Sequence, residues 1–162
     1  MGNKALEQLL FIENQCANAQ DAIIIRLLME GVEVHEIVYL TNDSLDPDSR
    51  VLTIKNHSGI TIRKILLTTK CVELFQNAAN QSIYILNNGY NPISKTSINL
   101  RDSHFLIKVS FQDYIANECM ITEMDSVILR AIYTRLKRLA EFFSCPELIH
   151  LTTVKLEEKA YA

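Results

Sequence analysis

The chain has 162 residues, 48% of them hydrophobic and 22% charged, with a formal net charge of −3, which suits one soluble globular domain or two very small ones. No run approaches the roughly 18 to 20 apolar residues of a bilayer-spanning helix, and "MGNKALEQLL" has no basic segment leading into an apolar one, so membrane and secretory readings drop out and a cytoplasmic protein is expected. The charge is uneven: residues 1–49 hold nine acids against Lys4 and Arg26, while residues 50–70 hold Arg50, Lys55, Arg63, Lys64 and Lys70 and no acid.

A basic face on an acidic protein is therefore expected. It permits nucleic-acid binding, though less strongly than a pI above about 9 would.

"KALEQLLFIENQ" spaces Leu6, Leu9, Leu10 and Glu13 as an amphipathic helix, and "DAIIIRLLMEG" is apolar nearly all round, as a central helix ending at Gly31 should be. "EVHEIVYL" predicts a short third helix that stops in the turn-forming "TNDSLDPDS". "RVLTIK" and "ITIRKILL", separated by "NHSG", predict an antiparallel hairpin. "TTKCVELFQNAAN" predicts a helix with Thr68 or Thr69 at its N-cap.

The middle of the chain, from Ser82 to Cys119, is rich in Asn, Gly, Pro and Ser and reads as loops. Within it "HFLIKVS" is either a short strand or an extended segment before a helix starting near Ser110. "TEMDSVILRAIYTRLKRLAEFF" is a strong helix, with Thr122 and Asp125 at its start and a stripe of Ile128, Ile132, Leu136, Leu139 and Phe143. Pro146 breaks it. "LTTVKLEEKAYA" reads as the start of a further capped helix.

Cys16, Cys71, Cys119 and Cys145 form no CxxC pair and read as buried free thiols. His35, His57, His104 and His150 are scattered, and His35 and Glu36, as direct neighbours, point apart on a helix, so neither a metal nor a cofactor is expected. His35 reads as a helix-surface residue, and Tyr39 and Tyr133 as residues at the edge of the core. Arg26, inside an apolar helix, needs an acid partner, either Glu30 or Glu33.

The fold class is mainly α with a small antiparallel β-sheet (α+β), one domain over 1–162 with helices over about 4–42, a hairpin over about 50–67 and a helical remainder over about 68–162. This order, with the frame "EGVEVHEIVYLTNDSLDPDSRVLTIKNHSGITIRKILLT", resembles the catalytic domain of the tyrosine recombinase (phage integrase) family. That domain runs an apolar helix into Gly, apolar, Arg, apolar, Ser, Glu, then an acidic corner and a hairpin. The resemblance covers nearly the whole chain.

In that family a tyrosine attacks a DNA phosphate while two arginines, a lysine and histidines neutralise the developing charge, a task for cationic donors in a fixed fork. The resemblance puts Glu33 at the first arginine and keeps the supporting acid as Glu36. It matches "LTTVKLE" to the family's His-x-Leu-Arg element, with Val154 for histidine and Glu157 for arginine. Alternatively "VILR" is that element, with Arg130 as the arginine and Val127 for histidine. The hairpin lysine is either Lys55, displaced, or lost, with His57 and Ser58 in the turn. Tyr161 lies too near Glu157 to be the nucleophile, so a C-terminally truncated domain is implied.

A carboxylate about 5 Å from a phosphate repels it by about 3 kcal/mol at an effective dielectric near 20, on top of the lost arginine. The expectation is a catalytically inactive, DNA-binding transcriptional regulator, phage or mobile-element encoded and similar to recombinase-fold phage lytic-cycle repressors, with duplex DNA held by Lys55, Arg63, Lys64, Arg130, Lys137 and Arg138. The alternative is a protein-interaction module that binds a full-length recombinase-like protein or regulator, or a second copy. A hydrolase using Glu33, His35 and Glu36 lacks a nucleophile and is set aside. If Arg26 pairs with Glu33, a phosphate clamp has become an internal salt bridge.

Overall fold

A helix that is apolar on every side folds stably only inside a core, and AQDAIIIRLLM is such a helix, buried from Gln20 through Met29. The computed structural model describes residues 3–90, 97–110 and 124–150. In chain order its helices are α1 (Asn3–Gln15), α2 (Ala19–Met29), α3 (Val34–Ile37), α4 (Thr69–Ala79) and α5 (Met124–Phe142), and its strands β1 (Leu45–Asp46), β2 (Val51–Lys55), β3 (Thr61–Leu66), β4 (Ile83–Ile85) and β5 (Ser97–Asn99). Around α2 pack α1, through Leu6, Leu9 and Ile12, and α4, through Cys71, Val72, Phe75 and Ala78.

The exit from α2 is built by Gly31. Its φ of +96° lets the Val32 N–H return to Leu27 O at 2.9 Å, the six-to-one closure that a left-handed glycine permits. α3 is a single turn, shorter than the helix expected over 33–40, with Tyr39 and Leu40 N–H groups continuing as turns onto Glu36 O and Ile37 O. Thr68 caps α4 as expected, its hydroxyl accepting from Cys71 N–H at 3.2 Å.

Among the described residues two separate antiparallel sheets replace the single one expected: β1-β2-β3 and β4-β5. β1 pairs Leu45 with Leu52 and Asp46 with Val51, and two residues followed by Pro47 read in sequence only as a turn. β4 and β5 pair Ile83 with Asn99 and Ile85 with Ser97, inside the stretch read as loops. Each is too short for a period-two pattern to emerge.

Residues 104–110 form no strand and join the rest by isolated bridges, Thr41 with Phe105 and Leu100 with Ser110. Gln20, buried on α2, ties this segment in: its Nε2 donates to Ala78 O at 2.7 Å and Leu106 O at 2.8 Å, while its Oε1 accepts from Lys108 N–H at 2.8 Å. The helix expected near Ser110, the Thr122 cap, Cys119, and Val154, Glu157 and Tyr161 lie outside the described residues.

The stripe on α5 is as expected, Ile128, Ile132, Leu136 and Leu139 being buried and Phe143 packed at the edge of the core. Tyr39 sits at the core's edge and donates to Asp125 Oδ2 at 3.1 Å. Tyr133 does not: it is half exposed, because it falls between buried Ile132 and half-buried Thr134 on the outward side of the helix. Cys71 and Cys145 are buried free thiols and Cys16 is half-buried. No described helix is long and apolar enough to cross a membrane.

Candidate functional site

The α3 corner brings Glu33, His35 and Glu36 against the hairpin. Glu36 is buried and Arg63 forks it, Nε to Oε2 at 2.9 Å and Nη2 to Oε1 at 2.6 Å. The Glu33 N–H also donates to Glu36 Oε1 at 2.9 Å, and Arg63 Nη2 reaches Gly31 O at 2.7 Å. Burial pushes the Glu36 carboxyl up, but the Arg63 hydrogen bonds, the Glu33 N–H and the Arg63 charge together hold it below its ordinary value. Glu33 turns to solvent, 53% exposed in its side chain, with His35 Nε2 3.3 Å away on a still more open side chain. The corner thus sets two carboxylates against one guanidinium.

Arg26 does not pair with Glu33. It donates from Nε to Glu30 Oε2 at 2.6 Å and lies 3.5 Å from Glu13 Oε1, with both side chains 5% exposed. The reason is geometric: Glu30 is one turn on along the same buried helix face, whereas Gly31 swings the chain outward before Glu33. Glu30 is further held by Thr68, accepting its N–H at 2.8 Å and its hydroxyl at 2.6 Å. The internal salt bridge at the corner is Arg63 with Glu36 instead.

The hairpin cations are split between two faces. Arg63 is in register with buried Ile54 and points to the inner side, whereas Lys64 is in register with Thr53 on the outer side. Lys55 and Lys64 are exposed. Arg63, expected on DNA, is engaged by Glu36.

On α5, Arg130, Thr134 and Arg138 stand one turn apart and line a cavity of about 60 Å³, with Arg135 and Tyr84 behind them. Arg130, Lys137 and Arg138 are all exposed, but Lys137 lies outside that cavity's lining. Arg138 and Tyr84 also border an adjoining cavity of about 300 Å³ that includes Asp21, Asn88 and Phe142. Arg135 is buried, donating from Nη1 to Gln20 Oε1 at 3.1 Å and from Nη2 to Lys108 O, with its guanidinium 5.0 Å from the centre of the Tyr84 ring, a cation–π distance.

The Tyr84 hydroxyl lies 2.9 and 2.8 Å from the two Asp21 oxygens. Burial pushes the Asp21 carboxyl up to about 6, against the pull of Arg135, Tyr84 and Asn18. Asp21, Tyr84 and Arg135 were not singled out in the sequence. The available signal was Arg135 itself, a charge set inside the apolar stripe between Ile132 and Leu139. Among the described residues no group of three or more His, Cys, Asp or Glu is placed to hold a metal ion.

Residues 5–157 match the family model described as MrpR, C-terminal catalytic domain. The crystal structure of XerA recombinase is similar over 93% of this chain and 59% of its own, with a TM-score of 0.47 and 14% sequence identity. This chain therefore spans 59% of that recombinase's length. No curated protein matches the chain. With nearly its whole length inside the family model, the chain belongs to the MrpR C-terminal catalytic domain family.

Proposed function

We propose that the chain is a DNA-binding regulator of phage or mobile-element type that holds duplex DNA and does not cut it. The carrying observation is the sign of charge at the α3 corner. Where the resemblance to tyrosine recombinases puts an arginine, the exposed carboxylate of Glu33 stands, and Arg63, whose guanidinium reaches the corner, is neutralised by Glu36. A scissile phosphate there would meet net negative charge, which opposes the charge that builds up in phosphoryl transfer. The exposed cations, Arg130, Lys137 and Arg138 on α5 and Lys55 and Lys64 on the hairpin, lie on other elements. They suit phosphate contacts that position without reacting.

The test is a gel-shift salt series together with a nicked suicide substrate that traps covalent protein–DNA intermediates. The reading expects a shift that weakens steeply between about 50 and 200 mM salt and no covalent adduct. A covalent adduct refutes inactivity, and absence of any shift at about 50 mM salt refutes DNA binding.

A second reading, a module that binds another protein, is favoured by one observation: the open edge of β3, where Ile62 and Leu66 are exposed beside Lys64.

A further inference from the structure

β3 is the outer strand of the three-stranded sheet. Its backbone alternates as an antiparallel strand must. Leu67 N–H donates to Arg50 O at 2.8 Å, and Thr53, the partner of Lys64, turns its own N–H the other way, to Ser44 O at 2.9 Å. Arg63 and Ile65 therefore direct their backbone groups to β2, and Lys64 and Leu66 direct theirs to the open edge, while Ile62 is the extra residue at the register shift opposite Ile54 and Lys55. No described strand pairs with β3 on that open side.

The two edges of this sheet are treated differently. β1 is two residues long and closed by Pro47, a blunted edge. β3 runs six residues without proline, and the one irregularity in its register sits at the hairpin end, between Ile54 and Lys55. Leu66, which offers a backbone group to that edge, is apolar and 63% exposed, and Ile62, at the register shift, and Ile60, just before the strand, are 50% and 61% exposed. Lys64 shares the outer face with Leu66.

We propose that the β3 edge is a docking site for an extended segment of a partner protein, added as a fourth strand, with aliphatic, acidic and aliphatic residues at alternate positions. Backbone bonding to Lys64 and Leu66 supplies the affinity and the alternating side chains supply the choice of partner. The acid is set by charge: Lys64 is the charged side chain that shares the outer face with Leu66, and residues 50–70 contain no acid. A second copy pairing antiparallel through β3 about its centre would set Lys64 against Lys64, and like charges directly opposed destabilise a strand pair. Duplex DNA would leave three exposed aliphatic side chains facing phosphates. This site goes beyond the DNA-binding reading and stands whether or not DNA binds.

The probe is a blocked peptide with valine, glutamate and valine at alternate positions separated by threonine. Its control has lysine in place of glutamate. The whole chain is titrated with each at about 150 mM salt, where the Debye length is near 8 Å, while amide hydrogen exchange is followed. The glutamate peptide is expected to bind saturably, at least about tenfold more tightly than the lysine peptide, and to slow exchange at Lys64 and Leu66. Leu66→Pro removes an N–H that faces the open edge and leaves the β2 ladder in place, so it should abolish binding; Lys64→Glu should reverse the peptide preference. Circular dichroism and exchange protection at Leu52 and Ile54 establish that each variant is folded.

Absence of saturable binding by the glutamate peptide, or binding unchanged by both substitutions, overturns the site. Concentration-dependent dimerisation lost in Leu66→Pro makes the occupant a second copy and overturns the acidic partner. Displacement of the peptide by duplex DNA, with Lys64→Glu lowering DNA affinity and Leu66→Pro leaving it unchanged, makes the surface a DNA contact and overturns the proposal.

Discussion

Arg63 and Glu36, on the hairpin and on the corner helix, form a two-point fork of 2.9 and 2.6 Å across 27 residues of sequence. The pair makes the α3 corner a structural joint. It holds β3 to the exit of α2, because the same guanidinium donates to Gly31 O.

Glu36→Gln is expected to cost about 1–2 kcal/mol, the scale of a charge-assisted hydrogen bond whose partner stays partly solvated. The pH dependence follows from the sign of the shift. The folded Glu36 carboxyl is held below its ordinary value, so its contribution is present above the unfolded pKa near 4.3 and is lost as pH falls through the folded value. Urea titrations across that acid range should show a loss in the wild type that Glu36→Gln lacks. Equal slopes in both would refute the assignment.

Asp21 behaves in the opposite sense. Its carboxyl, pushed up to about 6, binds a proton more readily folded than unfolded, so the fold loses stability as pH rises from about 4 to about 6 and carries the full cost above that. Asp21→Asn, which keeps an acceptor for Tyr84, should stabilise the protein by about 1–3 kcal/mol at pH 8 and by little at pH 4. Thermal melts at the two pH values check it; a destabilised Asn variant at pH 8 would mean that the Tyr84 and Arg135 contacts to the ionised form outweigh burial.

Arg26 stands between two carboxylates with no water-facing alternative. Arg26→Met leaves Glu13 and Glu30 buried without their cation and should cost about 3–5 kcal/mol. Adding Glu13→Gln to that variant should recover part of the loss, since one buried charge is then removed. Denaturant midpoints of the single and double variants measure both effects, and a neutral single variant would contradict the pairing.

For DNA, Arg138→Gln and Lys137→Gln report on α5 without disturbing its buried side. Each should weaken binding similarly across sequences and reduce the slope of log affinity against log salt by about 0.9 per lost phosphate contact. Arg63→Glu is unsuitable, because it would set a second carboxylate against Glu36 and unseat the corner. A slope unchanged in the double variant would take the contact away from α5.

Much of this molecule is determined locally. The all-apolar run of α2, the glycine that closes it, the Thr68 cap, the α5 stripe and the hairpin turn each need only neighbours within a turn or two, so their residue types suffice to specify them. The recombinase-like frame was legible for the same reason: it is a sequence of such local elements in order. What tertiary structure alone decided is which charge meets which. Arg26 had two acids within reach along the chain, and burial against α1 and α4 selected Glu30 and Glu13. Arg63 read as a free hairpin cation, and the register of β3 with β2 turned it inward to Glu36 while leaving Lys64 outside. β1, β4 and β5 exist only through partners distant in sequence, because two or three residues carry no periodicity of their own. Long-range pairing fixes which cation Glu36 meets at the corner and which way Arg63 faces, and that information has no local trace.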